Sequence, residues 1–290
     1  MNITEFGTKL GFPAESFDFL QEAEALLLKE RPVLEDCKTR FFEQDEMPWD
    51  RLAPLAEKTG LHPFTVHLLF LVYLADEGKQ RYLAAGYSEE FFWEAMKDIR
   101  YKMEETKTVY DLWGVYCGWW HIEFFQFKKF CLGRLHFEII PCEFDCTVAG
   151  HSIKAHDPVI NVHIPSFGPL YYEEVMDAYD RAAEFFGHLF PDGVFWYHCE
   201  TWFLYPPVKE LLPEGNLKRF AEDFKVVHTC FDRSYDDRYR IFQVPGSVPM
   251  EQYPEKTSLQ RNLKPWLLAG NEMGLGFGLF VRKNGNILYE

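Results

Sequence analysis

A chain of 290 residues, 47% hydrophobic and 26% charged, is long enough for one large or two ordinary globular domains. Its formal net charge of −15 argues against nucleic acid and anionic membrane as main partners. The longest apolar run, Val66 to Ala75, is about half the ~20 residues needed to span a bilayer. Seven scattered cysteines, and an opening Met-Asn-Ile-Thr-Glu-Phe-Gly that lacks a basic and apolar leader, point to reduced thiols in a cytoplasm. Aromatic residues reach 18%, which suits either a ring-rich core or a groove lined with rings.

In chain order, the first part is helical. Phe17, Leu20, Ala23 and Leu27 keep helical spacing behind Ser16, which is placed to cap them. A shorter helix is expected over 33–43. Pro48 opens another, with Trp49, Leu52, Leu55 and Ala56 on one face and Gly60 at its end. Pro63 starts the next, which runs to about Ala85. Ser88-Glu89-Glu90 caps a long helix through Phe92, Met96, Ile99 and Met103, and the apolar stretch 109–120 reads as a further helix. Period-two alternation begins near Phe124, so the expected domains are a helical 1–123 and a mixed α/β 124–290.

Residues 132–144 read as a strand, with Leu135, Phe137 and Ile139 on one face and Arg134, His136 and Glu138 on the other. Ala149-Gly150-His151 suggests a turn. In the next strand Ile160, Val162 and Ile164 face one way, and Asn161 and His163 the other. Ser166-Phe167-Gly168-Pro169-Leu170 then leads into a helix over 171–190, whose first turn carries Glu173 and Glu174. A strand that feeds a glycine turn and a helix start presents backbone N–H groups to a phosphate or oxyanion. Here the donors are the Ser166 hydroxyl and the amides of Gly168, Leu170 and Tyr171, since Pro169 has no N–H. Residues 194–204 suit a strand buried on both faces, and 208–224 a helix interrupted near Pro213. Strands 226–231 and 239–244 flank Asp236-Asp237, Thr257 or Ser258 caps a helix to Leu268, and Asn284-Gly285 closes a hairpin.

The order of elements from residue 132 is similar to that of the GNAT (N-acetyltransferase) superfamily. The pieces LGRLHFE, VINVHIPSFGPL, FFGHLFP, CETWFL and LPEGNLKRF resemble, more closely, a bacterial family that pairs a helical N-terminal domain with a GNAT-like C-terminal acyltransferase domain. The resemblance covers the whole chain. It implies an α+β protein that moves an acyl group from acyl-CoA, acetyl or longer, to a small-molecule or peptide amine by direct attack on the thioester. It also implies that Ser166, Phe167, Gly168, Leu170 and Tyr171 hold the CoA pyrophosphate and that Asn216 meets the pantetheine arm. Two features depart from the superfamily pattern. The loop has one glycine and no basic residue, and Phe224, which cannot donate a proton, stands where a general-acid Tyr is usual. Both favour an alternative, a catalytically inactive GNAT-fold protein whose aromatic cleft binds a small molecule, glycan or peptide.

An attacking amine must lose a proton, so His163, Glu138 and Glu200 are the catalytic candidates. Asn161, Cys199 and Trp202 are expected on the substrate side. If the two strands are neighbours, Asn161 and His163 converge with Arg134, His136 and Glu138; the alternative is a solvated sheet face or a surface contacting the N-terminal domain. Adjacent strand residues point to opposite faces, so His198 cannot activate Cys199, which is either a structural thiol or part of the cleft wall. Cys142 and Cys146 have a zinc-like spacing, but no second cysteine pair follows, and no metal is expected. Gly274, Gly276 and Gly278 lack the setting of a dinucleotide fingerprint and suit a bulged strand or tight turn.

Overall fold

The computed structural model describes residues 1–231 and 237–289. The fold is α+β, and the chain divides into two compact units, 1–128 and 129–290. The first unit is helical: α1 (Ile3–Leu10), α2 (Phe17–Leu27), α3 (Arg31–Gln44), α4 (Trp49–Thr59), α5 (Pro63–Ala84), α6 (Glu89–Tyr110) and α7 (Ile122–Phe125). Asn2 and Ser88 cap α1 and α6 by accepting the N–H groups of Glu5 and Phe91. Ser16 does not cap α2. Its own backbone is already helical, and its hydroxyl donates to the Pro13 carbonyl instead. The apolar run of α5 is buried on all sides, from Val66 through Phe70 to Ala75, as expected of a central helix. Each such side chain adds roughly 1.5–3 kcal/mol of burial. Among the described residues no helix is long and apolar enough to cross a membrane.

The stretch 109–120 is not one further helix: α6 ends at Tyr110, and only a 3₁₀ turn over Gly118–His121 follows the loop. Asp111 ends α6 in the left-handed region at φ 54. The chain then turns so that the Val115 N–H donates to the Phe64 carbonyl at 2.8 Å. Gly114 lies against that backbone, where a Cβ would stand 2.5 Å from the Phe64 carbonyl carbon. Burial of Val115 and Cys117 in a loop, not helical periodicity, accounts for the apolar content.

The second unit contains β1 (Lys129–Leu132), β2 (Leu135–Pro141), β3 (Cys146–Val148), β4 (His151–Ile153), β5 (Pro158–His163), α8 (Tyr172–Phe186), β6 (Val194–Thr201), α9 (Pro206–Lys209), α10 (Asn216–Glu222), β7 (Lys225–Cys230), α11 (Arg238–Phe242), α12 (Ser258–Leu268), β8 (Leu275–Lys283) and β9 (Asn286–Leu288). Its seven-stranded sheet has the order β1-β2-β5-β6-β8-β7, with β9 pairing along β8, and β3–β4 forms a separate hairpin. The β5–β6 pair is parallel and joined across α8; the other ladders are antiparallel.

The expected strand 132–144 is two strands. Gly133 at φ 74 and Arg134 form a two-residue turn, because Leu132 pairs with Leu135. The expected strand 239–244 is the helix α11. Its Ile241 and Phe242 pack with Leu263 and Leu267 of α12, and Gln260 donates to the Ile241 carbonyl at 2.9 Å. Asp236 lies outside the described residues. Three other readings hold. Thr257, rather than Ser258, caps α12, and the structure adds a reciprocal box with Gln260; Asn284 and Gly285 turn the β8–β9 hairpin at φ 51 and 77, and Ala149-Gly150 turns β3 into β4. Gly276 and Gly278 lie inside β8, where a Cβ would meet Leu204 and Phe224 at 2.7 Å or less.

Candidate functional site

Strand register assembles a polar row across the middle of the sheet. Glu138 of β2 pairs with Asn161 of β5, which pairs with His198 of β6, and His136 pairs with His163 one step along. Alternation puts these side chains on one face. His163 Nε2 donates to Glu138 Oε1 at 2.5 Å, and Asn161 Nδ2 donates to the same oxygen at 3.0 Å. Asn161 Oδ1 accepts from His198 Nδ1 at 2.9 Å. This bonding pattern fixes the asparagine orientation and leaves the His198 lone pair on Nε2.

The electrostatics follow from burial and these bonds. Burial works to raise Glu138, but the bond to His163, the nearby charges and Asn161 outweigh it and hold the carboxyl at about 2. Burial first, and the neighbouring His163 second, push His198 down to about 4, so it is neutral at neutral pH. His198 also lines a pocket with Ile140, Phe144, Val159, Phe277 and Leu279.

The row ends where two strands part. The parallel ladder registers at Ile160–Tyr197 and Asn161–His198, yet β5 continues to His163 and β6 to Thr201. The segment 164–171 leaves this opening for α8, whose first turn has no side-chain cap. Within it Ser166, Phe167, Gly168 and Tyr171 are exposed and Leu170 is buried. Gly168 sits at φ 63 in open space, so a larger residue is limited there by backbone strain rather than collision. Arg134 grips the segment: Nε donates to the Pro169 carbonyl at 3.2 Å, Nη1 and Nη2 to that of Pro165 at 3.3 Å, and Nη2 to that of Gly168 at 3.2 Å.

The structure brings Glu138, Asn161 and His163 together. Glu200 stands two residues beyond His198 on the same face, opposite Phe277, and is exposed. Cys199 lies on the other face, where burial pushes its thiol well up, so it is no ready nucleophile. Trp202 falls in the short 3₁₀ turn after β6 and packs against the Val208, Ile241 and Phe242 cluster. Asn216 opens α10 and is exposed, and Phe224 is core, 4.9 Å from the Phe280 ring. His198 is the residue that sequence reasoning left out of the site, and Arg134 was read with the polar strand face rather than as holding the 164–171 segment. The signal for His198 was its polar character in an apolar strand, but only the parallel register shows its partner.

A second ionisable cluster lies under the α8 side of the sheet. Asp223 is buried, accepts from the Tyr172 hydroxyl at 2.8 Å and from Tyr289 at 3.4 Å, and its Oδ2 has no hydrogen-bond partner among the described residues. Burial raises this carboxyl to about 6 against the pull of those bonds and of Arg219. Among the described residues no group of three or more His, Cys, Asp or Glu is placed to hold a metal ion.

Residues 1–127 match the family described as an N-acyltransferase N-terminal domain, and residues 130–280 match the GNAT-like C-terminal domain. No curated protein matches the chain. Similar solved structures include an acyltransferase mutant in complex with octanoyl-CoA and an acyltransferase in complex with decanoyl-CoA and teicoplanin, each at 17% identity and TM-score 0.69. An acyltransferase in complex with decanoyl-CoA is 18% identical with TM-score 0.67. Each likeness covers 95% of this chain and 86% of the other, and what it establishes is a common fold.

Proposed function

The chain belongs to the family with a GNAT-like C-terminal domain, and from that premise we propose that it moves an acyl group from acyl-CoA to an amine acceptor. The observation that carries the chemistry is the His163–Glu138 bond beside the opening between β5 and β6. The fold shared with acyltransferases that hold octanoyl-CoA and decanoyl-CoA supports the donor. The neighbour that also holds teicoplanin supports an acceptor of small-molecule or peptide kind.

The 164–171 segment receives the CoA pyrophosphate, and the thioester lies in the opening. The acceptor amine gives a proton to His163, whose Nε2–H is bonded to Glu138 and whose basic lone pair is therefore at Nδ1. The Glu138 carboxylate steadies the imidazolium that forms. The amine nitrogen bonds to the acyl carbon, the carbon–sulfur bond breaks, and CoA leaves as thiolate. Phe224 cannot protonate that sulfur, so the imidazolium returns the proton. His198 keeps Asn161, and through it Glu138, in place.

The test is calorimetric titration with acetyl-, octanoyl- and decanoyl-CoA, followed by transfer assays on peptide and small-molecule amines. Saturable binding, and transfer that His163→Ala abolishes, are the expected results. Failure to bind any acyl-CoA would sink the proposal. Binding without transfer to any amine would select the second reading, a binding protein without catalysis, which the core position of Phe224 favours.

A further inference from the structure

The 164–171 segment holds no basic residue, yet a guanidinium is bonded to it from elsewhere in the sheet. His136 pairs with His163, and continuing that antiparallel register sets Arg134 level with Pro165. The Gly133-Arg134 turn therefore stands at the same end of the sheet as the segment leaving β5. Arg134 bonds three of its carbonyls, those of Pro165, Gly168 and Pro169. Across a trans peptide, a carbonyl and the next N–H point in opposite directions, and among the described residues there is no cis bond. The Ser166 and Leu170 amides are thus turned away from the guanidinium. The fork fixes one side of the segment by its oxygens and presents the other by its hydrogens.

We propose that Arg134 is a positioning residue that shapes this segment for the acyl-CoA pyrophosphate and supplies in space the basic group that the segment lacks in sequence. The proposal rests on the acyl-CoA reading above. A planar five-donor fork is suited to three carbonyls at once. A lysine keeps the charge but not the fork.

The experiment compares decanoyl-CoA with decanoyl-pantetheine, which has the thioester arm but no pyrophosphate. Wild-type protein should bind the CoA thioester more tightly. Arg134→Ala should weaken decanoyl-CoA roughly 10- to 100-fold, the range expected for loss of charge-assisted hydrogen bonds, and leave decanoyl-pantetheine unchanged. Arg134→Lys should fall between the two. KM for decanoyl-CoA should rise with kcat at saturation retained. Unchanged decanoyl-CoA binding in Arg134→Ala, or equal loss of both ligands, overturns the positioning role. If wild-type protein binds neither ligand, the acyl-CoA reading fails before the Arg134 variants are compared.

Discussion

The two faces of the central sheet are made from alternate residues of the same strands, and they treat ionisable groups in opposite ways. Toward α8, Tyr197 stacks on Phe280 at 4.7 Å and 6°, Tyr179 lies 5.1 Å from Tyr197, and the Tyr197 hydroxyl donates to the Tyr179 carbonyl at 2.6 Å. Burial there pushes the Cys199 thiol and the Tyr179 and Tyr197 hydroxyls upward, so they stay protonated. On the other face the same strands carry Glu138, Asn161, His163 and His198, and hydrogen bonds outweigh burial to keep Glu138 charged beside a neutral His198. His198 and Cys199 are neighbours in sequence, yet one joins a hydrogen-bonded polar row and the other is packing. Desolvation alone silences a titratable group; desolvation with directed partners fixes the charge state that chemistry needs.

Breaking the polar face should have the largest effect. His163→Ala and Glu138→Gln should each lower kcat for acyl transfer by about 10²–10⁴-fold with the circular dichroism spectrum unchanged. A kcat within a few fold of wild type in either would dismiss the pair as the base. The aromatic face should answer in stability. Tyr197→Ala removes a buried ring and should cost about 3–5 kcal/mol by urea denaturation. A loss under about 1 kcal/mol would show that the stack is not core.

Acid sharpens the contrast, because Glu138 and Asp223 shift in opposite directions. Glu138 is depressed to about 2, so its stabilisation is complete above its ordinary 4.5 and is lost as pH falls from there through 2. Asp223 is raised to about 6, so its contribution is present below its ordinary 3.8 and is lost as pH rises through 6. Asp223→Asn should therefore match wild type near pH 4 and exceed it at pH 8 by on the order of 2 kcal/mol. A constant difference across that range, measured by denaturant titration, would remove the titration argument. The smallest effect belongs to Cys199→Ala, which should cost about 1 kcal/mol of stability and leave kcat within twofold. A large kcat loss there would put chemistry on the wrong face.

Where the sequence was readable, the signal was local. The Ser88 cap, the Thr257 cap, the Asn284-Gly285 turn and the alternation of Asn161 and His163 each depend on a few neighbouring residues. The misread segments share one cause, which is that their apolar residues serve distant partners. Val115 is buried where its own loop packs on Phe64, Ile241 and Phe242 are apolar because α12 covers them, and Leu132 and Leu135 pair with each other across the turn at Gly133. The row was half legible. Glu138, Asn161 and His163 stand out by period two, whereas His198 is marked only as a polar residue in an apolar strand, and nothing local shows its partner or the carbonyls that Arg134 meets.

By itself the sequence determined the helix-then-sheet order, the caps and turns, and which face of β2 and β5 is polar, because these follow from backbone preferences and side-chain period within a few residues. Tertiary structure decided which strands are neighbours and in what register. The parallel pairing of β5 with β6 across α8 sets His198 beside Asn161, and the β2–β5 register brings Arg134 under Pro165. Those pairings join residues 31 to 37 positions apart, and closing such loops depends on the packing of the whole core rather than on any short pattern.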